Sequence, residues 1–394
     1  MTAHGEDDAP VVFIIAGEVS GDLLAASLMR AINDRVGGHV RFVGIGGERM
    51  AQLGLQSLFP MEELVVHGLQ QAVARAPHLL ARMSQTARAV AETDPDVLVL
   101  VDAPGFNLRV AKRVRRLRPA IPIVDYVSPS VWAYLPGRAR RMTPVVDHLL
   151  AILPFEPAIH RALGGPPTTY VGHPLIERLA ALRPLPGERA ALGGGRKPVL
   201  LVLPGSRRSE ITRLMDLFGA TVALVESLHG PVELILPAVP YLAAEIRQRA
   251  AAWPRRPTIV EGEVATYAAF RRAHAALAAS GTVTLELALS GVPTVVAYRV
   301  EPLLSLLKVM LKVDSIVLPN IILGEHAMPE FLDGAATAET LAAALLPLLG
   351  DTEARQHQLE AFRRLDKEMA LDSGTPSGRA AEIVLSAMRN PPAA

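Results

Sequence analysis

The sequence predicts an α/β fold in which two Rossmann-like lobes, each a parallel sheet flanked by helices, face each other across a ligand cleft. Three observations carry this. Apolar runs of strand length alternate with longer segments whose apolar residues recur at helical spacing, the pattern of successive βαβ units. The series breaks once, at a turn-rich stretch, and then restarts. At 394 residues the chain is long enough for two domains, each burying its own core.

In the first series the candidate strands are Val11–Ala16, Val40–Val43, Val97–Val101, Ile121–Tyr126 and His148–Leu153. Between them, Leu24, Leu28 and Ile32, and later Val110, Val114 and Leu117, mark helices. Pro184–Pro198, with Pro186, Gly187 and the run Gly193–Gly195, reads as a connection rather than a packed element. Beyond it come Val199–Leu203, Val232–Leu236, Thr258–Val260, Ala275–Ala279 and Thr294–Tyr298. The expected lobes are residues 1–175 and 176–365, with the last helix, within 366–394, crossing back to the first.

Charge is balanced, 40 Lys plus Arg against 39 Asp plus Glu, so composition makes no case for nucleic acid. The chain has no cysteine, which removes disulfides, thiolate nucleophiles and cysteine-based metal sites. Met1–Pro10 is acidic and polar, and the apolar run after it is too short for a signal peptide. No uncharged apolar stretch approaches the roughly 18 residues of a membrane span, so the reading is a cytoplasmic protein without transmembrane helices.

Ligands of an open parallel sheet sit at the carboxyl ends of its strands. Three glycine turns stand there: Ala16-Gly-Glu-Val-Ser-Gly-Asp22, Leu203-Pro-Gly-Ser-Arg207 and Ser280-Gly-Thr-Val-Thr-Leu-Glu286. Ser280, Gly281 and Thr282 would offer hydroxyls and N–H groups to a diphosphate, and Glu286 a carboxylate to ribose hydroxyls. The same residues also read as a helix cap followed by an exposed glutamate. Ser206 and Arg207 repeat the layout, with a guanidinium suited to phosphate oxygens, or simply a surface arginine at a helix start.

Asp102 ends the apolar run Val97–Val101 and is a candidate general base, or else a turn residue capping Ala103–Asn107. Glu18, Ser20 and Gly21, in the first glycine turn, divide between substrate contact and capping, and Gly46 and Gly47 join them as candidate contacts. Asp94-Pro-Asp96 matches the D-x-D of metal-dependent sugar transferases but precedes its strand, at the wrong end. The 11 histidines show no H-E-x-x-H spacing, and no metal is expected. Two segments are candidates for meeting lipid, Leu69–Met83 and Leu303–Lys312, with Arg109, Lys112, Arg113, Arg115, Arg116 and Arg118 clustered between them.

Together, Gly17-Glu-Val-Ser-Gly-Asp22, Asp102-Ala-Pro-Gly-Phe106, Tyr126-Val-Ser-Pro-Ser-Val-Trp-Ala133, Leu153-Pro-Phe-Glu156, Val171-Gly-His-Pro174, Leu203-Pro-Gly-Ser-Arg207, Ser280-Gly-Thr282 and Leu318-Pro-Asn320 resemble lipid-A-disaccharide synthase from about Val11 to Leu332. The resemblance implies a GT-B fold and an inverting, metal-independent glycosyltransferase without cofactor. It would join UDP-2,3-diacylglucosamine to 2,3-diacylglucosamine 1-phosphate, releasing UDP and a β-1,6-linked disaccharide for lipopolysaccharide.

By that resemblance Asp102 activates the acceptor 6-hydroxyl, Arg207, Ser206 and Ser280 meet departing UDP, and Asn320 joins the binding residues. It also implies peripheral contact with the cytoplasmic face of the inner membrane and leaves a homodimer open. The family carries Glu where Gln71 stands, and Arg and Gln where Glu325 and Asp333 stand. Other GT-B activities, a UDP-GlcNAc 2-epimerase or a lipid-linked GlcNAc transferase of peptidoglycan synthesis, share the second-lobe motifs. A non-catalytic nucleotide-sugar-binding protein is the third reading, and the joint presence of Asp102 and Arg207 argues against it.

Overall fold

The computed structural model describes residues 9–64, 69–299 and 313–389, with the backbone alone for 69–74. Two compact units result: one runs to Ile176 and resumes at Leu371, and the other is Glu177–Ala370.

The first unit contains strands β1 (Val11–Ala16), β2 (Arg41–Ile45), β3 (Gln56–Ser57), β4 (Val97–Val101), β5 (Ile123–Tyr126), β6 (His148–Ala151) and β7 (Thr168–Tyr170). Its helices are α1 (Val19–Val36), α2 (Glu48–Ala51), α3 (Leu69–Thr93), α4 (Pro104–Leu117), α5 (Gly137–Met142) and α6 (Glu156–Ala162). Among the described residues the strands form one parallel sheet in the order β3-β2-β1-β4-β5-β6-β7. β4 is buried along its whole length and β1 at all but its first residue, as expected of central strands covered by helices on both faces. Their register, Val12 against Val97 through Ala16 against Val101, ends both strands level. Strand order reverses between these two, so the turns after β1 and β4 meet at the switch point where such sheets bind ligands.

The second unit repeats the plan. It has α7 (Leu179–Leu182), β8 (Val199–Leu203), α8 (Arg208–His229), β9 (Glu233–Ala238), α9 (Ala243–Ala250), β10 (Thr258–Glu261), α10 (Glu263–Arg272), β11 (Ala275–Ala279), α11 (Val283–Leu289) and β12 (Thr294–Tyr298). After these come α12 (Leu318–Leu323), β13 (Glu330–Leu332), α13 (Ala338–Leu345) and α14 (Glu353–Met369). The order β10-β9-β8-β11-β12-β13 puts this switch point between β8 and β11, paired from Ala275 against Leu200 to Ala278 against Leu203. The final helix, α15 (Pro376–Arg389), belongs to the first unit and packs on α1, burying Ala380, Ala381 and Val384 completely. An ion pair of 2.7 Å between Arg35 and Glu382 crosses the same contact.

Several boundaries differ from the sequence reading. The second strand occupies Arg41–Ile45, and the fifth starts at Ile123 because Pro122 has no N–H for the ladder. β3, β7 and β13 are strands of two or three residues that carry no apolar run. The stretch 184–198 forms neither helix nor strand, yet it is anchored: the Arg189 guanidinium donates to the carbonyls of Gly291 (2.6 Å), Ser290 (2.7 Å) and Phe270 (3.1 Å). Asp96, in the D-x-D string, accepts the Val11 N–H at 2.7 Å and so ties down the amino-terminal ends of β1 and β4.

The proposed lipid segment Leu303–Lys312 lies outside the described residues, as do the side chains of Leu69 and Val73. Further along α3, Met83 is core and Leu80 is half exposed. Among the described residues no helix is long and apolar enough to cross a membrane.

Candidate active site

At the first switch point two turns touch, closely enough at Gly17 that only glycine fits. A Cβ on Gly17 would stand 2.5 Å from the Ala103 Cβ, and one on Gly21 would meet the Val101 carbonyl at 3.4 Å and the Asp102 Cβ at 3.7 Å. This close approach places Ser20 against Asp102, its hydroxyl donating to the Asp102 Oδ2 at 3.2 Å.

Asp102 and Ala103 both adopt left-handed backbone, with φ of +55° and +43°, and Val127 at the end of neighbouring β5 has φ +85°. Such conformations disfavour side chains with a Cβ and persist where the surroundings hold them. Here the Asp102 N–H donates to the Tyr126 carbonyl (2.9 Å), while the buried Asn107 amide donates to the carbonyls of Asp102 (2.8 Å) and Val101 (3.2 Å). Burial pushes the carboxyl of Asp125, fully buried on β5, well above the usual range, and the charge of Asp102 adds to the effect.

Glu18 is exposed at the cap position of α1, its carbonyl accepting the Asp22 N–H at 2.9 Å. Gly46 and Gly47 each donate an N–H within the unit. The Gly46 N–H donates to the Ser57 hydroxyl (3.2 Å), and the buried Asp22 carboxylate collects the N–H groups of Gly47 (2.9 Å), Arg49 (3.0 Å) and Met50 (3.1 Å). A Cβ on Gly47 would come within 2.8 Å of the Asp22 Oδ2, so glycine serves the carboxylate that caps α2.

Two loops beyond β5 and β6 close on each other through Glu156. Its carboxylate accepts the Trp132 indole N–H at 3.2 Å and the Leu153 N–H at 3.0 Å, and Trp132 packs edge-on against Phe155 with centroids 5.4 Å apart. Burial raises the Glu156 carboxyl to about 7 against the lowering effect of these hydrogen bonds. The Ser128 hydroxyl and the buried His160 Nε2 share a hydrogen bond of 2.8 Å, and burial lowers His160 to about 4.

In the second unit, Ser206, Arg207, Ser280, Gly281, Thr282 and Glu286 all line one cavity of about 480 Å³ at the carboxyl ends of β8, β9 and β11. Glu286 is mostly buried there; burial raises its carboxyl, which accepts the Tyr267 hydroxyl at 3.3 Å. Thr282 and Gly281 are exposed, whereas the Ser280 hydroxyl donates to the Ile316 carbonyl at 2.7 Å.

Glu210 was not singled out in the sequence, yet it organises this turn. Its Oε2 accepts the N–H groups of Ser206 (2.9 Å) and Arg207 (3.1 Å), and its Oε1 pairs with the Arg207 guanidinium at 3.0 Å. The two N–H groups just ahead of α8 are therefore taken by an internal carboxylate, and the Arg207 guanidinium is 75% exposed. A Cβ on Gly205, φ +113°, would fall 2.3 Å from that carboxylate. Arg208 points away and pairs with Glu245 at 2.9 Å.

Asn320 stands apart from this cavity. It is buried, with its amide donating to the Met328 carbonyl (2.9 Å) and accepting the Met328 N–H (2.8 Å), which closes the 320–328 loop. Among the described residues, no three His, Asp or Glu side chains are grouped to hold a metal ion.

Solved structures share this architecture across nearly the whole chain. A putative UDP-N-acetylglucosamine 2-epimerase from Listeria monocytogenes aligns with TM-score 0.60 and 15% identity over 97% of this chain and 96% of its own. MurG from Acinetobacter baumannii aligns with TM-score 0.59 and 13% identity over 96% and 99%. At such identities the likeness establishes the fold, two Rossmann-like units of the GT-B class.

Sequence relatives are closer. A lipid-A-disaccharide synthase of Bradyrhizobium diazoefficiens is 51% identical over 98% of both chains, and one of Ruegeria pomeroyi is 41% identical over 95% of this chain and 94% of its own. The family model described as lipid-A-disaccharide synthetase matches residues 12–384. Alignment of that extent, spanning both glycine-turn sites, makes this chain a member of the lipid-A-disaccharide synthase family.

Proposed function

We propose that the protein transfers a 2,3-diacylglucosaminyl group from UDP to the 6-hydroxyl of 2,3-diacylglucosamine 1-phosphate, with inversion at the anomeric carbon. Asp102 takes the proton from the acceptor hydroxyl. That oxygen attacks the anomeric carbon from the face opposite the diphosphate, through an oxocarbenium-like transition state, and the carbon–oxygen bond to UDP breaks. Ser20 orients the carboxylate through its Oδ2, and Oδ1 carries no hydrogen bond among the described residues.

The donor's diphosphate is assigned to the second unit's cavity. There the Arg207 guanidinium neutralises charge on the leaving UDP, Gly281 and Thr282 contact the phosphates, and Glu286 receives ribose hydroxyls. Reaction without a metal ion is part of the proposal, because Arg207 supplies the positive charge that a metal would otherwise bring. The Glu210 carboxylate already holds the Ser206 and Arg207 N–H groups, so the Arg207 side chain rather than its own N–H meets the diphosphate. Peripheral attachment to the cytoplasmic face of the inner membrane is proposed on the acylated nature of both substrates.

The observation that best supports the reading is the gathering of Ser206, Arg207, Ser280, Gly281, Thr282 and Glu286 around one cavity in a chain of this family. Incubating the protein with both acylated sugars tests it directly. UDP and disaccharide should appear in equal amounts, and UDP release that ignores the acylated acceptor would overturn the assignment.

A further inference from the structure

The first unit holds a cavity of about 600 Å³ between α4 and α5, bordered by Pro104 and Gly105 at one end and floored by Leu108, Leu135 and Met142. Five cations line it: Arg109, Lys112, Arg138, Arg140 and Arg141. No acidic side chain lines it.

Among the described residues none of these five has a carboxylate partner, and of the four other cations on α4 and at its end, Arg113, Arg115, Arg116 and Arg118, two do. Arg115 pairs with Asp147 at 2.6 Å and Arg118 with Asp94 at 3.6 Å. Two of the five are steadied without being neutralised: Arg109 donates to the Gly105 carbonyl at 2.7 Å and Arg141 to the Gly137 carbonyl at 3.1 Å. Positive side chains converging on a concave surface without counter-ions repel one another, and an anion in the cavity removes that repulsion.

We infer that the α4–α5 cavity receives the anomeric phosphate monoester of the acceptor sugar. The inference rests on the proposed reaction, and the chain itself supplies the distance argument. Pro104 lies two residues from Asp102, at most about 7.6 Å between Cα atoms. In a hexopyranose the carbon bearing the anomeric phosphate and the carbon bearing the hydroxymethyl group flank the ring oxygen, so both substituents leave the same edge of the sugar. An acceptor with its 6-hydroxyl on Asp102 therefore presents its phosphate within one ring edge of that carboxylate, and Pro104 and Gly105, two and three residues along the chain, line the cavity that holds the cations. Arginines grip a dianionic phosphate with paired N–H donors, giving the site a preference for the phosphorylated acceptor.

The test uses the Arg138→Ala/Arg141→Ala double variant of the full chain, in neutral detergent. With 2,3-diacylglucosamine 1-phosphate, KM for the acceptor should rise ~10-fold or more while KM for the UDP-sugar holds. With the dephosphorylated acceptor the variant and the parent protein should differ by less than about twofold, since no charge pair is lost. Equal losses with both acceptors, or none with either, overturn the inference.

Titration with glucosamine 1-phosphate reads binding independently of turnover. Saturable binding that the double variant loses, and that glucosamine lacks, supports the site even if no disaccharide is made, in which case the reaction assignment alone fails. Sedimentation with phosphatidylglycerol vesicles separates the other source of phosphate. A variant that detaches from vesicles but keeps its glucosamine 1-phosphate affinity makes the cations a headgroup surface and overturns the inference.

Discussion

The Ser20 hydroxyl donates to the Asp102 carboxylate at 3.2 Å, joining the glycine turn after the first strand to the strained turn after the fourth. One oxygen of the carboxylate is thereby oriented, and in the proposed reaction the other takes the acceptor's proton. Asp102→Asn should reduce kcat at least ~100-fold with the Kd for UDP nearly unchanged, because the amide keeps the shape and loses the basicity. Wild-type kcat in this variant would return Asp102 to the role of a turn residue. Ser20→Ala should cost less, on the order of 10-fold in kcat, as orientation alone is lost.

Arg207 presents most of its side chain to solvent while Glu210 holds its base. Arg207→Ala should weaken UDP binding by roughly 10-fold and lower kcat as well, because in the proposed reaction the guanidinium meets the diphosphate before and during departure. Calorimetric titration with UDP and steady-state kinetics measure the two effects. Unchanged values of both would remove Arg207 from the site.

Turnover should persist in excess EDTA. The comparison is the initial rate before and after chelation, and after Mg²⁺ is restored; a rate abolished by EDTA and recovered with Mg²⁺ would replace Arg207 by a metal as the chief stabiliser of leaving UDP.

Asn320→Ala removes two buried hydrogen bonds to Met328 and should lower stability by about 1–3 kcal/mol, leaving UDP affinity intact. Urea unfolding and UDP titration on one sample separate these outcomes. A large loss of UDP affinity with normal stability would restore Asn320 to the ligand.

Opposing titrations shape stability around neutrality. Glu156 is raised from 4.5 to about 7, so the folded protein binds the extra proton between those values and stability falls as pH rises through that window. His160 and His173 are lowered from 6.5 to about 4, so the unfolded chain binds the extra protons and stability rises with pH between about 4 and 6.5. Glu156→Gln deletes only the falling contribution. Its stability relative to the parent should climb by about 3 kcal/mol from pH 4.5 to 7, whatever constant offset the amide brings. A pH-independent difference in urea midpoints would show that Glu156 does not titrate in this range.

What was legible in the sequence follows from where apolar pattern and backbone demand coincide. β1, β4, β8, β11 and β12 were readable to the residue because central parallel strands are apolar without interruption. β3, β7 and β13 have sequences Gln-Ser, Thr-Thr-Tyr and Glu-Phe-Leu, and only a neighbouring strand's free edge makes them strands.

Glycine turns announced both switch points but not what each glycine serves. Gly47 makes room for Asp22 and Gly205 for Glu210, which are contacts between residues far apart or facing inward. Asp125, a carboxyl within the apolar string Ile-Val-Asp-Tyr, was the one visible sign of a buried acid beside Asp102.

The α1–α15 contact has a consequence for synthesis. At translation rates of about 5–20 residues per second, the ribosome works for roughly 10–40 s on Glu177–Ala370 after the first sheet's last strand has been made. Throughout that interval the face of α1 that α15 covers lacks its partner, so the nascent first unit is exposed to holdase chaperones while the second is being made. A stop codon shortly after Leu371 would leave every residue of all three glycine turns in place and still strand the amino-terminal unit unfinished.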